Sequence, residues 1–122
     1  MTLGFNPEFI PLILNGTKIH TIRSSQRWAA GQPIHFRATG PAGELLEFRP
    51  AGVVTAVQAI RITAADGTAT LTVDGRPLPG PELHELARRD GFGSPALLLR
   101  FFADTYELPF EGQLIHWTDV RY

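Results

Sequence analysis

The stretch Val53-Val54-Thr55-Ala56-Val57-Gln58-Ala59-Ile60-Arg61-Ile62-Thr63-Ala64-Ala65-Asp66-Gly67-Thr68-Ala69-Thr70-Leu71-Thr72-Val73-Asp74-Gly75 decides the fold class. It is rich in β-branched residues, and Ile60 and Ile62 flank Arg61 in the period-two pattern of a half-buried strand. Asp66-Gly67 is a turn pair of the kind that takes two consecutive left-handed residues, so Val53–Thr63 and Ala69–Val73 are read as an antiparallel hairpin. Asp74-Gly75 repeats the turn signal.

Working outward, Ile34, Phe36 and Ala38 alternate with His35, Arg37 and Thr39 as another strand, and Leu45–Phe48 is a short one. After the second turn the period changes. Pro81–Arg89 places Leu83, Leu86 and Ala87 on one helical face and ends in two arginines before Gly91, a helix start and stop. Ser94-Pro95 opens a second helix with an apolar stripe from Leu97, Leu98, Phe101, Phe102 and Tyr106. Near the N-terminus, Asn6-Pro7-Glu8 reads as N-cap, first-turn proline and first-turn acid of a short helix that stops at Asn15-Gly16 and is broken or tightened at Pro11. Lys18–Ile22 follows as a short strand or irregular link, and Gln113–Tyr122 closes the chain as a strand with Ile115 and Trp117 on one face. The expected architecture is a single α+β domain over residues 1–122, with a mostly antiparallel sheet curled into a small β-barrel.

At 122 residues, 43% hydrophobic and 19% charged, the composition is that of a globular protein with one core. No apolar run is long enough to span a bilayer, the N-terminus has no signal-peptide pattern, and there is no cysteine, so a cytoplasmic location is the default expectation. The net charge of −1 argues against strong nonspecific attraction to nucleic acid, but the distribution is uneven. No acid occurs from Phe9 to Gly43, a stretch that holds Lys18, Arg23, Arg27 and Arg37 together with His20 and His35. This part of the molecule either presents a positive face or pairs with acids from elsewhere.

Lys18 is the only lysine beside ten arginines. Arginine keeps its proton near neutrality, whereas a lysine that is desolvated or set beside another cation can release it. The four histidines show no metal-ligand spacing, and no Walker loop or Gly-x-Ser-x-Gly elbow occurs, so no metal and no cofactor is expected. Gly91-Phe92-Gly93-Ser94 looks like a phosphate cradle but is explained by helix-stop and helix-start chemistry.

The segment Gly16-x-Lys18-x-x-Thr21-Ile22-Arg23, followed by Gly31 and the strand at Ile34–Arg37, resembles the opening motif of the ASCH family, a branch of the PUA-like superfamily. Leu86-Ala87-Arg88-Arg89-Asp90-Gly91-Phe92 resembles that family's helix-end region. Phe110–Thr118 is similar to the closing strand of uncharacterised bacterial and phage ASCH-like proteins. The resemblance implies a PUA-like small β-barrel with flanking short helices and a cleft beside the Lys-Thr-Arg segment. It also implies RNA binding and, in one branch, amide hydrolysis of N4-acetylcytidine by a lysine, a threonine and a glutamate. Lys18 and Thr21 match the first two by motif position, and Asp90, one methylene shorter, falls near the third.

Three functional expectations follow. In the first, an RNA or modified nucleoside binds through Lys18, Thr21 and Arg23, with Arg27 and Arg37 on phosphates and a partly exposed Trp28, or His20, stacking on a base. The second is an amidohydrolase in which Lys18 activates Thr21 or water, Asp90 orients the ammonium or passes a proton, and Arg23 or backbone N–H groups hold the oxyanion. The third is a protein-interaction domain with an inert cleft.

Overall fold

The computed structural model describes all 122 residues. In chain order, β1 (Thr2–Phe5) leads through a 3-10 turn (Pro7–Phe9) into α1 (Ile10–Leu14). Next come β2 (His20–Arg23), β3 (Pro33–Thr39), β4 (Leu45–Glu47), β5 (Gly52–Val53), β6 (Ala56–Ala65), β7 (Thr68–Val73) and β8 (Arg76–Pro77). Helices α2 (Gly80–Arg89) and α3 (Pro95–Thr105) precede β9 (Phe110–His116). The strands form two sheets, one holding β1, β3, β4 and β5, the other in the order β2-β9-β6-β7-β8. Only β1 and β3 run parallel. The α+β class and the mostly antiparallel pairing agree with the sequence, but the strands divide between two sheets with no closure into a barrel.

The hairpin forms where the turn chemistry places it. Asp66 and Gly67 both take positive φ, 53° and 76°, as do Asp74 and Gly75, at 50° and 78°. Two left-handed residues give a turn whose twist matches the flanking strands, so Ala65 faces Thr68 and Val73 faces Arg76. Pro11 tightens the N-terminal helix as its missing N–H dictates: a 3-10 turn comes first, and Pro11 then sits in the first turn of α1, where that N–H has no helical partner to lose. Asn6 takes the N-cap position with extended backbone, as read from the sequence, although its side chain makes no capping bond.

Strand β9 lies between two cores. Leu114 joins Ile60, Ile62, Leu71, Leu86 and Phe102 in a core under α2 and α3, while its neighbour Ile115 joins Leu3, Trp28, Ile34 and Phe36 in a core against the other sheet. Successive strand residues point to opposite faces, so the five-stranded sheet is covered on both sides. β9 begins at Phe110, three residues before the expected start, and ends at His116; the tail beyond folds back to hydrogen-bond Gln58.

Helix α2 ends as a Schellman cap: Phe92 N–H donates to Ala87 O at 2.9 Å and Gly91 N–H to Arg88 O at 3.1 Å. Gly91 has φ of 99°, and a Cβ there would lie 2.9 Å from Phe9 Cε1 and 3.4 Å from Lys18 Cδ. Gly91→Ala therefore meets both a left-handed backbone penalty and an aromatic wall. Urea denaturation is expected to show a loss of about 1–2 kcal/mol.

Candidate functional site

Lys18 is placed by the end of α2. The last turn of a helix leaves carbonyl groups without partners and carries partial negative charge, which a cation satisfies. Ile19 N–H donates to Arg89 O at 3.0 Å, and the Lys18 Nζ donates to the main-chain oxygen of Asp90 at 2.5 Å. From the other side, Lys18 N–H donates to Leu12 O of α1 at 2.9 Å. The ammonium also lies 5.0 Å from the centre of the Phe9 ring and 5.9 Å from that of Phe5. Lys18 is only 3% exposed, and this burial lowers its pKa; Asp90 opposes the shift and Arg23 adds to it.

Lys18, Thr21 and Asp90 line one cleft of about 290 Å³, although Asp90 stands 72 residues from Lys18. Arg23 and Glu8 share the wall, and Phe9, Phe92, Phe101 and Tyr106 supply much of the apolar lining. Arg23 is fixed by its Nη2 donating to Gly4 O at 2.8 Å, and its Nε donates to Thr21 Oγ1 at 3.4 Å. Its guanidinium lies 5.1 Å from the Phe5 ring centre, and burial lowers its pKa.

Asp90 carries further contacts. Its Oδ1 accepts from His20 Nδ1–H at 2.9 Å and lies 3.6 Å from the Lys18 Nζ. His20 Nε2 is 2.7 Å from the Tyr122 hydroxyl, a hydrogen bond on the side of the ring away from Asp90.

Several candidates lie away from the cleft. His20 is fully buried behind Asp90, so the expectation of base stacking there is corrected. Trp28, expected to be partly exposed, is 4% exposed. Gln113 takes its N–H on Oε1 and donates Nε2–H to its carbonyl, both at 3.0 Å, which anchors the indole in the core. Arg37 sits on β3 beside Glu47, 3.5 Å away, where the side chain of His35 meets the same carboxylate. Arg27 is exposed and makes no ion pair among those formed. The acid-free stretch thus yields no continuous basic face. Ser94 caps α3 by accepting from Leu97 N–H at 3.2 Å, in keeping with the capping reading of the Gly91–Ser94 loop.

In the sequence Glu8 has only the look of a first-turn acid, yet it is the cleft carboxylate that forms no ion pair. Its position just before the acid-free stretch was the sole sequence signal. No group of three His, Cys, Asp or Glu side chains is arranged to hold a metal ion, and no helix is long and apolar enough to cross a membrane.

Behind His20, His116 packs edge-on with ring centres 5.3 Å apart. Its Nε2–H donates to Gln58 Oε1 at 2.9 Å, and Gln58 is held in that orientation by donating to Asp74 and to the main-chain oxygen of Tyr122. The His116 Nδ1 is buried without a partner. Burial, with His20 and Arg121 adding to it, lowers the His116 pKa to about 3.

No protein-family model, curated protein or solved structure matches the chain.

The His116 ring is therefore expected to stay neutral, with its proton on Nε2, throughout an NMR titration from pH 8 to pH 4.5. The unfolded chain, with an ordinary histidine pKa near 6.5, takes up the proton first. The contribution of His116 to stability is thus full above about pH 6.5 and is lost as pH falls towards 3, each pH unit costing at most about 1.4 kcal/mol. Urea midpoints of the wild type and His116→Asn across this window measure that share.

Proposed function

We propose that the cleft takes a small N-acylated, nucleoside-like ligand and hydrolyses its amide, in a domain of the ASCH type. The observation that carries this reading is the meeting of Lys18, Thr21 and Asp90 on the wall of one cleft, with the lysine pKa lowered by burial. A PUA-like arrangement, with the two sheets as walls of an open barrel, belongs to the same proposal.

The volume suits one nucleoside-sized molecule rather than a length of polynucleotide. Stacking on Trp28 or His20, which RNA binding called for, is blocked by their burial, and Arg37 is engaged at Glu47. A modified nucleoside as ligand is retained from that reading; a phosphate-tracking surface is not.

In the proposed reaction, neutral Lys18 takes the proton of Thr21 as its oxygen bonds to the acyl carbon. Arg23, whose Nε points at Thr21 Oγ1, holds the oxyanion that forms. Collapse breaks the C–N bond, and the departing amine receives its proton from Lys18. Water then cleaves the threonine ester, releasing the carboxylic acid and restoring the hydroxyl. Asp90 anchors the lysine through its main-chain oxygen, and Glu8, the carboxylate without an ion-pair partner, activates that water.

Incubation with N4-acetylcytidine, followed by chromatography for cytidine and acetate, is expected to show turnover. Lys18→Met, which keeps the apolar stem, and Thr21→Ala are each expected to lower kcat/KM at least about a hundredfold, and Glu8→Gln to lower kcat by roughly ten- to a hundredfold with KM little changed. Intact N4-acetylcytidine and related N-acyl nucleosides after prolonged incubation overturn the hydrolytic reading. Saturable binding of the intact nucleoside in the same samples then marks a binding module.

A further inference from the structure

Lys18 is anchored in an unusual way. A buried ammonium beside a buried carboxylate ordinarily closes on it, since removing charges from water is costly unless they meet. Here the ion pair with the Asp90 carboxylate is a long one: its Oδ1 is 3.6 Å from Nζ, more than an ordinary hydrogen bond, while it lies 2.9 Å from His20 Nδ1. The lysine donates instead to the main-chain oxygen of the same residue. His20 is held in turn by the Tyr122 hydroxyl at 2.7 Å.

We propose that His20 and Tyr122 are positioning residues for the cleft: they hold the Asp90 carboxylate in a long ion pair with the Lys18 ammonium rather than a closed one, so that the lysine's short hydrogen bond goes to a main-chain oxygen and it remains free to give up its proton. A Tyr122 hydroxyl donating to Nε2 keeps the His20 proton on Nδ1, where the carboxylate is. A carboxylate that receives this N–H shares its charge away from the ammonium. Without it, the nearest donor for Oδ1 is Lys18, and a closed ion pair retains the lysine proton. In the hydrolytic reading above, which this clamp deepens, the base would then be lost; the clamp itself exists without substrate.

The charged and titratable groups around the clamp are few. Lys18 faces Asp90 and Arg23, with the rings of Phe5 and Phe9 over it. His20 faces Asp90, Tyr122 and His116. Tyr122 faces Arg89 and Glu85 of α2 as well as Asp90, and His116 faces Arg121 and Asp74. Of these, His20 makes the closest side-chain approach to the Asp90 carboxylate, at 2.9 Å against 3.6 Å for Lys18.

Because Lys18 is the only lysine, protein carrying lysine labelled with carbon-13 at Cε gives one side-chain signal, whose pH titration reports this group alone. In unliganded wild type its pKa is expected below the ordinary lysine value. His20→Leu is expected to raise it by about one unit, and Tyr122→Phe, which keeps the packed ring, by about half a unit. Asp90→Asn, which keeps the main-chain oxygen but removes the charge, is expected to lower it. Should His20→Leu fail to fold, the opposed shifts of Tyr122→Phe and Asp90→Asn decide the matter. Unchanged or lowered values in the two clamp variants overturn the proposal. So does a rise in all three variants, which marks water entering a loosened site. None of these outcomes depends on whether N4-acetylcytidine is turned over.

Discussion

An ammonium taken out of water must be met by oxygen atoms, and at Lys18 those atoms come from the end of α2. This requirement organises one side of the molecule. The helix has to stop at Asp90 so that its main-chain oxygen is free, and the left-handed Gly91 makes that stop while leaving room for Phe9 and the lysine stem. The lead-in to β2 must run alongside, which the Ile19 bond to Arg89 secures. Helix end, strand and N-terminal turn are thereby held around one buried charge.

The cleft lies where the layers of the fold meet. β1 contributes Gly4 and Phe5, the 3-10 turn Glu8, β2 Thr21 and Arg23, and α3 Phe101 and Phe102. β2 pairs with β9, the strand whose Leu114 and Ile115 belong to opposite cores, so the segment bearing the polar groups is tied to both cores at once. A group mounted on such a strand has little freedom, and a small displacement of a reacting group costs much of the rate.

Features set by neighbours in the sequence were legible from it. The turns at Asp66-Gly67 and Asp74-Gly75, the helix stop at Gly91 and the tightening at Pro11 depend on backbone preferences of the residues themselves. The grouping of Lys18, Thr21 and Asp90 is legible only through resemblance to a motif, because nothing in spacing brings together residues 72 apart. What remained hidden depends on long-range partners. β1 has four residues and pairs in parallel with β3, too short a run to declare its period. Trp28 looks exposed between Arg27 and two alanines until Gln113 is brought opposite its main chain. His20 looks like a stacking side chain until Asp90 is seen beside it, and Glu8 like a helix-end acid until the cleft forms around it.

The charges on the cleft wall bear on what it can hold. Lys18 and Arg23 stand against Asp90 and Glu8, two basic groups and two acidic ones, in a space lined otherwise largely by aromatic rings, with Asn6 and Thr21 as uncharged polar groups. A site for a polyanion concentrates positive charge, because affinity for phosphates grows with the cations that meet them. This wall is balanced, and burial lowers the proton affinity of Lys18 and of Arg23, so their positive charge is costly to keep. Such a wall is suited to a neutral, polarisable group whose charge develops only during reaction. An acyl amide is of that kind: its carbonyl oxygen gains negative charge as the carbon is attacked, and fixed donors then hold it more strongly than in the ground state. The balance that weakens a phosphate site therefore favours the hydrolytic reading over RNA binding, and it does so from electrostatics without appeal to the motif.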